Sequence, residues 1–314
     1  MTTTPTRRRA WLMAARPQTL PAGVAPVVLG VGLAVADGVF APLPALAALL
    51  GALLIQVGTN LANDYSDGVR GADTEDREGF TRVTAGGLIE PEQVRRATAL
   101  TFGLALLVGS TLVYVGGLPV VVIGLTSIAA GLLYTGGPYP YGYYGLGDLF
   151  VFVFFGLVAV TGTYYVQAVT VAAAGPFPLG LPSGTVSTDA ALVGAAAGAL
   201  ATAILVVNNL RDLETDRRTG KRTLAVILGY RGSRLEFLGL LGVAYTVPVL
   251  LWGQGDGPLV LAPLVTLPFA AAVAQTVLSR ASGDALNPAL ERTGQLLALY
   301  ALTLTVGLAA PEVV

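Results

Sequence analysis

The stretch PLPALAALLGALLIQVGTNLAN, residues 42–63, runs directly into DYSDGVRGADTEDRE, residues 64–78. The first part holds no charged residue over 22 positions, and about 20 apolar residues are what a helix needs to cross the hydrocarbon of a bilayer. The second part holds six acidic residues within fifteen positions. This abrupt change predicts a membrane-spanning helix that ends at a strongly charged segment.

The composition of the whole chain agrees with a membrane protein. The 314 residues are 54% hydrophobic and 12% charged, against about 25% charged in soluble domains. There is no Cys and no His, which excludes disulfides, thiolate nucleophiles, Cys/His metal sites and imidazole acid–base chemistry. A metal must therefore be a hard cation held by oxygen ligands. No basic groove pattern points to nucleic acid.

Apolar runs of similar length recur along the chain and predict an all-α polytopic membrane protein. Nine spans are expected, at 19–37, 42–63, 97–116, 118–136, 147–174, 189–210, 235–253, 258–279 and 294–311. Short Gly/Pro/Asp connections, such as GGLP at 116–119, indicate turns between antiparallel neighbours.

The positions of the cations test this topology. All 18 Lys and Arg residues fall on one side of the nine-span arrangement. They lie in the tail 1–16 and in the loops 63–96, 209–234 and 280–293. The positive-inside rule makes that side cytoplasmic and places the C-terminus outside, in a cell membrane. The tail 1–16 is read as a retained cytoplasmic segment and not as a signal peptide.

The two long charged loops, 63–96 and 209–234, follow spans 2 and 6, which are four spans apart. This spacing predicts two four-helix halves and a ninth helix within a single membrane-embedded domain, 1–314.

The polar residues at the end of span 2 recur at helical spacing. Positions i, i+3, i+7 and i+10 are Asn60, Asn63, Asp67 and Arg70. If span 2 continues as a helix, these four side chains share one face. Asp64 lies beside that face, and Asp73 follows in the loop.

A second polar segment, NNLRDLETDRRTGKRT at 208–223, has the same character. Asn208, Asp212 and Asp216 are spaced i, i+4, i+8, and Lys221 and Arg222 follow. Either segment alone is also what an ordinary solvated loop looks like. Two matched segments inside the ends of apolar helices favour a functional site, because polar groups there are costly.

Paired carboxylates and carboxamides suit Mg²⁺, which usually completes its shell with water and substrate phosphates. The cations that follow each segment suit the remaining phosphate oxygens. The residues therefore predict a Mg²⁺–diphosphate site at one end of a helical bundle, with a lipid-like substrate tail between the helices.

A third feature is YTGGPYPYGYYGLGD, residues 134–148, with five tyrosines, five glycines and Asp148. It is typical of an interfacial aromatic belt with a flexible turn. The alternative is a tyrosine-lined side of the site, whose ring faces stabilise a developing cation. On that alternative Tyr134 and Tyr141 are candidate catalytic residues, and Asp148 supports them.

These motifs together resemble the UbiA-type intramembrane prenyltransferases. The resemblance rests on N-D-Y-x-D followed by D-T, and on a distal D-x-x-x-D with K-R-T. It is closer to the branch that acts on 1,4-dihydroxy-2-naphthoate in menaquinone biosynthesis. The blocks that carry it are ARPQTLPAGVAPVVLG at 15–30, GTNLANDYSDGVRGADTED at 58–76, RVTAGGLI at 82–89, the P-Y-G-Y-x-G-L-G-D loop and NNLRDLETDRRTGKRTLAVILG at 208–229.

The resemblance implies a nine-helix bundle around a central cavity, open to the cytoplasm and sideways to lipid, and dependence on Mg²⁺. It implies Mg²⁺ ligation by Asn63, Asp67, Asp212 and Asp216. It implies diphosphate binding by Arg70, Arg82, Lys221 and Arg222. Asp67, Asp64 and Asp73 become candidate catalytic residues, and the implied supporting residues are Asn60, Asn208, Asn209 and Asp148.

The implied reaction transfers a polyprenyl group from a polyprenyl diphosphate to 1,4-dihydroxy-2-naphthoate, with loss of diphosphate and CO₂. Either a carboxylate such as Asp67 or the diphosphate itself takes the acceptor proton. The chain departs from the family at two places: Gly71 replaces the third Asp of the commoner first motif, and Tyr139 replaces a basic residue before P-Y-G-Y.

Three other functions are alternatives to prenyl transfer to 1,4-dihydroxy-2-naphthoate. One is a related prenyltransferase with another acceptor, namely 4-hydroxybenzoate, homogentisate or a glycerol-phosphate lipid. The second is a CDP-alcohol phosphotransferase, whose signature is incomplete after Asp67-Gly68. The third is a secondary transporter, which needs polar groups near the bilayer midplane, whereas the charges here cluster at the helix ends.

Overall fold

The computed structural model describes residues 5–70, 83–173, 175–281 and 283–310, and over these ranges the regular structure is entirely helical. The α-helices are α1 (Arg7–Ala15), α2 (Leu20–Ala36), α3 (Pro42–Val69), α4 (Pro91–Leu133), α5 (Gly147–Phe152), α6 (Ala159–Val171), α7 (Thr188–Arg211), α8 (Leu213–Arg218), α9 (Leu224–Gln254), α10 (Leu267–Ser279) and α11 (Gly283–Ala309). A π-helical turn, Val153–Val158, joins α5 to α6, and 3₁₀ segments lie at Pro17–Thr19, Tyr141–Tyr144 and Pro258–Thr266.

Seven helical segments in the described ranges are long and apolar enough to cross a membrane. They are Arg7–Ala36, Pro42–Val69, Pro91–Leu133, Gly147–Val171, Thr188–Arg211, Leu224–Gln254 and Pro258–Ser279. The predicted spans 97–116 and 118–136 both fall largely on α4. The predicted span 294–311 falls largely on α11, whose hydropathy is lowered by polar residues such as Arg292 and Gln295. The count of nine spans therefore stays a prediction.

Helix α4 is a hairpin of two antiparallel arms. At 43 residues a straight helix would be about 65 Å long, twice the thickness of the hydrocarbon. Gly117 breaks it with φ 62° and ψ −148°, and a Cβ there would lie 1.9 Å from the carbonyl oxygen of Pro178. A Cβ on Gly131 would lie 3.7 Å from the ring of Phe102. The turn expected at GGLP is therefore confirmed.

Helix α7 lies at the centre of the core, with Leu200 and Leu210 fully buried. Glycines allow it to pack closely on the π-helical turn. A Cβ on Gly156 would lie 2.4 Å from the Cα of Gly198, so the two backbones meet as in other small-residue helix contacts. The second polar segment begins where this rigid helix ends.

A cavity of about 480 Å³ lies between α2, α3, both arms of α4 and the segment 147–171. Asn63, Tyr134 and Tyr141 line one end of the cavity. The first acidic segment begins at this end, which we therefore call the charged end of the bundle. Leu106 and Leu125, one on each arm of α4, line the cavity and are more than half exposed. The cavity therefore reaches the side of the bundle between the arms of α4. The division into two four-helix halves stays a prediction.

Candidate active site

The first polar stripe is helical, as its spacing requires. Helix α3 continues to Val69, so Asn60, Asn63 and Asp67 share one face of a regular helix. All three are buried. The amide Nδ2 of Asn60 donates to the carbonyl of Ala15 at 3.0 Å and to Thr19 Oγ1 at 2.8 Å. Asn60 thus ties α3 to the connection between α1 and α2.

Asn63 lies one turn further along, at the end of the cavity. Its Oδ1 accepts a hydrogen bond of 2.9 Å from Thr135 Oγ1. Thr135 directly follows Tyr134, so this contact fixes the start of the tyrosine loop against α3. The Oδ1 atom keeps a second lone pair for another partner.

Asp64 points away from this face and binds the main chain at residues 83 and 84. Its Oδ2 accepts from the backbone N–H of Val83 at 3.1 Å, and its Oδ1 accepts from that of Thr84 at 2.9 Å. Both oxygens are engaged with main chain and the side chain is buried. This geometry favours a positioning role for Asp64 over the catalytic role expected from the sequence.

Asp67 meets the other two motifs of the site. The hydroxyl of Tyr143 donates to its Oδ1 at 2.5 Å, and the Nζ of Lys221 lies 3.9 Å from its Oδ2. Lys221 also lies 4.8 Å from the centre of the Tyr143 ring, a distance typical of cation–π contacts. The three buried or partly buried side chains form one polar cluster, which we call the Asp67 cluster.

Backbone contacts hold the second motif against the tyrosine loop. The N–H of Arg222 donates to the carbonyl of Tyr143 at 3.0 Å, and the N–H of Lys221 donates to that of Asp216 at 2.9 Å. Asp216 and Lys221 are buried, whereas the side chain of Arg222 is exposed. The second segment therefore contacts the tyrosine loop through Arg222 and the first segment through Lys221.

Asp212 is held by a buried arginine next to it in sequence. Arg211 donates through Nε at 2.8 Å and Nη2 at 2.9 Å to the two carboxylate oxygens of Asp212. It also donates to Asn208 Oδ1 at 2.9 Å and to Asn287 Oδ1 at 3.2 Å. The bidentate geometry fixes the direction of the carboxylate, and Asn287 brings α11 into the site.

Aromatic rings form a continuous row along the cavity. Tyr134 and Tyr141 meet edge to face at 5.4 Å, Tyr141 stacks on Phe150 at 4.1 Å, and Phe150 stacks on Phe154 at 5.9 Å. All four line the cavity. The Tyr141 hydroxyl donates to the carbonyl of Ala130 at 2.8 Å.

Burial raises the pKa of the Tyr141 hydroxyl well above its ordinary value. Tyrosine hydroxyls titrate near pH 10 even in water, so those of Tyr134 and Tyr141 stay protonated at physiological pH. The two hydroxyls can donate hydrogen bonds and the two rings present their faces, but neither side chain can act as a base.

The other predicted residues lie around this centre. Asp148 is 5% exposed, and its Oδ2 has no hydrogen-bond partner among the described residues. Arg70 donates to the carbonyl of Gly137. Asn209 is buried at the end of α7, and Tyr139 is 76% exposed, so it does not replace a basic residue inside the site. Asp73 and Arg82 lie outside the described residues.

The acidic residues are spread over two sides of the site. Among the described residues no three acidic side chains come together at one point. Mg²⁺ needs only one or two carboxylates when phosphates and water complete its shell. Asp67, Asp212 and Asp216 are buried carboxylates, and Asn63 adds a carboxamide oxygen. This all-oxygen donor set fits Mg²⁺ bound together with a phosphate ligand.

Sequence reasoning missed two residues of this centre. Tyr143 is one of five tyrosines in its loop, and no periodicity distinguishes it. From the sequence alone, Arg211 is only one of the loop cations. The feature that could have identified it is its position immediately before Asp212 at the end of an apolar helix, where a charge needs a partner.

Comparison with known proteins agrees with this architecture. Residues 23–303 match the UbiA prenyltransferase family. The chain is 40% identical to 1,4-dihydroxy-2-naphthoate octaprenyltransferase of Mycobacterium tuberculosis (strain ATCC 25618 / H37Rv) over 299 residues, which are 95% of this chain and 96% of the relative.

Two solved structures share the fold. A UbiA homolog from Aeropyrum pernix K1 aligns with a TM-score of 0.70 at 13% identity, over 91% of this chain and 97% of the other. A UbiA homolog from Archaeoglobus fulgidus bound to GPP and Mg²⁺ aligns with a TM-score of 0.62 at 14% identity, over 95% of this chain and all of the other. The chain described here therefore belongs to the UbiA prenyltransferase family.

Proposed function

We propose that this protein transfers a polyprenyl group from a polyprenyl diphosphate to 1,4-dihydroxy-2-naphthoate, releasing diphosphate and CO₂ and giving a demethylmenaquinol. The observation that carries the proposal is the joining of two acidic segments through Tyr143 and Lys221 at the mouth of an apolar, aromatic-lined cavity. The name of the M. tuberculosis relative, with which this chain shares 40% identity over nearly its whole length, supports the choice of acceptor.

The cavity suits the prenyl chain. Its lining is largely apolar, and the row from Tyr141 to Phe154 runs along it. The opening between the arms of α4, marked by Leu106 and Leu125, lets a chain longer than the cavity continue into lipid. The ring faces of Tyr134 and Tyr141 lie near the charged end, where they stabilise positive charge on the prenyl carbon.

The charged end suits the diphosphate. Asn63 and Asp67 on one side, and Asp212 and Asp216 on the other, are the residues that would hold Mg²⁺. When bound, Mg²⁺ neutralises charge on the diphosphate oxygens. Lys221 is already at the centre of this arrangement, and we assign the exposed Arg222 and Arg70 to the outer phosphate oxygens. Asp73 and Arg82 are proposed to join the same site.

The reaction proceeds through cleavage of the allylic C–O bond, whose electron pair stays on the diphosphate. Lys221 stabilises the charge that develops there, which is electrostatic catalysis by a preorganised cation. The electron-rich ring carbon that carries the carboxylate then bonds to the prenyl carbon. Loss of the carboxyl group as CO₂ leaves its bonding electrons in the ring and restores aromaticity.

Gln56 offers a binding point for the acceptor. It lines the cavity one turn before Asn60 and is 6% exposed. Its Nε2 donates to Thr19 Oγ1 at 3.0 Å, while its Oε1 has no hydrogen-bond partner among the described residues. A buried carbonyl oxygen of this kind favours a hydroxyl donor. We propose that it accepts a hydrogen bond from the dihydroxynaphthoate ring.

The membrane arrangement is part of the proposal. We infer nine spans in the cytoplasmic membrane, with each arm of α4 and helix α11 crossing it. The charged end then faces the cytoplasm, because every Lys and Arg of the sequence falls on that side of a nine-span topology.

Product analysis tests the function. Purified protein is incubated with a series of prenyl diphosphates and with 1,4-dihydroxy-2-naphthoate, 4-hydroxybenzoate or homogentisate, with Mg²⁺ or with EDTA. Mass spectrometry should find a decarboxylated prenyl naphthohydroquinone only when the naphthoate and Mg²⁺ are both present. A product from another acceptor alone would replace the naphthoate assignment, and substrate counterflow in proteoliposomes without diphosphate release would favour a transporter.

A further inference from the structure

A second concave surface lies between α9 and α10. This groove has a volume of about 680 Å³ and shares no lining residue with the active-site cavity. Apart from Gln275, its lining is apolar or small, and it includes Leu238, Leu241, Gly242, Tyr245, Ala274 and Leu278.

One end of the groove carries a fixed guanidinium. Arg234 precedes Leu238 by one helical turn, so it lies on the same stripe of α9 as the groove lining. Its Nε donates to the carbonyl of Val277 at 3.1 Å, and its Nη2 donates to that of Arg280 at 3.0 Å. The side chain therefore crosses from α9 to the last turn of α10 and covers the end of the groove.

An aromatic ring supports this guanidinium. Tyr230 lies one turn before Arg234, with the guanidinium carbon 5.8 Å from its ring centre, and its hydroxyl donates to the carbonyl of Ala281 at 3.4 Å. The Nη1 of Arg234 donates to no described residue. Arg231 and Arg280 are exposed at the same corner, whereas Glu236 lies about 200° around α9 from Arg234.

The dimensions match one leaflet. Along α10 the groove lining begins at Leu267 and ends at Leu278 and Ser279. Leu267 and Leu278 are eleven residues apart, which is about 16 Å along a helix. Half of a hydrocarbon layer of about 30 Å is about 15 Å. A groove of this length, apolar along its course and cationic at the charged end of the bundle, has the form of a lipid-binding site.

We propose that this groove binds one acyl chain of an anionic phospholipid, with the lipid phosphate on Arg234 and Arg280. The positive charge of these two arginines favours an anionic lipid over a zwitterionic one, because each Arg near the surface contributes about 1 kcal/mol of attraction to anionic headgroups. This preference for a headgroup also distinguishes the site from the unselective lipid contact that any apolar helix surface makes. Bound lipid would bridge α9 and α10 in addition to the Arg234 contacts.

Native mass spectrometry of the full-length protein in detergent tests the proposal. The protein is titrated with phosphatidylglycerol and, separately, with phosphatidylcholine of identical acyl chains. The wild type should retain phosphatidylglycerol in clear preference. Arg280→Gln should lower that preference about fivefold, which is the loss of about 1 kcal/mol. The Arg280 side chain makes no hydrogen bond to a described residue, so this variant should fold normally.

Two more variants separate headgroup from chain. Arg234→Gln should lower the preference further, and Gly242→Leu should weaken both lipids by filling the groove, since a Cβ at Gly242 meets no atom within 4 Å. Arg96→Gln, an exposed arginine on α4, is the matched control and should bind as the wild type. Equal retention of the two lipids by the wild type, or full preference in Arg280→Gln together with unchanged binding in Gly242→Leu, would overturn the proposal.

Discussion

Replacing Tyr143 by Phe removes a single oxygen from the Asp67 cluster. The hydroxyl donates to Asp67 Oδ1 at 2.5 Å, while the ring lies beside Lys221 at 4.8 Å. Phe keeps the ring and the backbone carbonyl that accepts from Arg222. The variant therefore tests whether the hydroxyl, which fixes the direction of the Asp67 carboxylate, contributes to function.

The expected size follows from the kind of contact. A hydrogen bond to a charged group contributes about 1.5–3 kcal/mol, and 1.4 kcal/mol is a factor of ten. We expect kcat/KM for the prenyl diphosphate to fall roughly 10- to 150-fold. Because Asp67 is proposed to hold Mg²⁺ on the diphosphate, the Mg²⁺ concentration for half-maximal rate should rise with the KM of the diphosphate. The KM of the naphthoate acceptor should stay near the wild-type value.

Steady-state kinetics with varied prenyl diphosphate, acceptor and Mg²⁺ measure these quantities. Tyr144→Phe is the matched control, since Tyr144 is the next residue and is 55% exposed, and it should behave as the wild type. If Tyr143→Phe kept wild-type kcat/KM and Mg²⁺ dependence, the hydrogen bond from Tyr143 to Asp67 would have no functional role. An equal loss in Tyr144→Phe would assign the effect to loop folding.

Three further outcomes are expected. Asp67→Asn should nearly abolish turnover while the purified protein stays folded, because it removes a proposed Mg²⁺ ligand; wild-type turnover would contradict the site. Arg211→Gln should lower the melting temperature by roughly 5–8 °C, since breaking a buried pair costs about 3–5 kcal/mol and 1 kcal/mol corresponds to about 1.5 °C for a chain of this length. The exposed Arg217→Gln should shift it by less than about 2 °C. Gln56→Leu should raise the KM of the naphthoate about tenfold and leave that of the prenyl diphosphate unchanged; the reverse pattern would place the acceptor elsewhere.

Elements with a simple periodicity were predictable from the sequence. The stripe of Asn60, Asn63 and Asp67 follows the helical period, and α3 indeed continues to Val69. The turn within α4 was marked by GGLP, because glycine tolerates the positive φ that the turn requires at Gly117. Both features depend on neighbours in the chain, so local sequence carried the information.

Contacts between distant segments were not predictable in the same way. Tyr134, Tyr141 and Tyr143 lie within ten positions, and the sequence favoured the first two. The structure places those two beside the cavity and Tyr143 on Asp67. Asp64 and Asp67 likewise belong to one motif, yet Asp64 binds the backbone at residues 83–84. Which side of the loop each group faces depends on how segments about 75 residues apart pack together.

Arg211 shows that a topology prediction and a site prediction use different information. A predicted membrane orientation depends on the sum of the cations on each side, so Arg211 enters it as one loop cation, without any knowledge of its contacts. A binding site depends instead on pairs of groups at hydrogen-bond distance. The same arginine is buried, paired with Asp212 and bonded to Asn287 of α11, so it orients a proposed metal ligand and cannot also bind diphosphate through those donors. We therefore propose that Lys221 and Arg222, and not Arg211, are the cations of the second motif that bind the substrate.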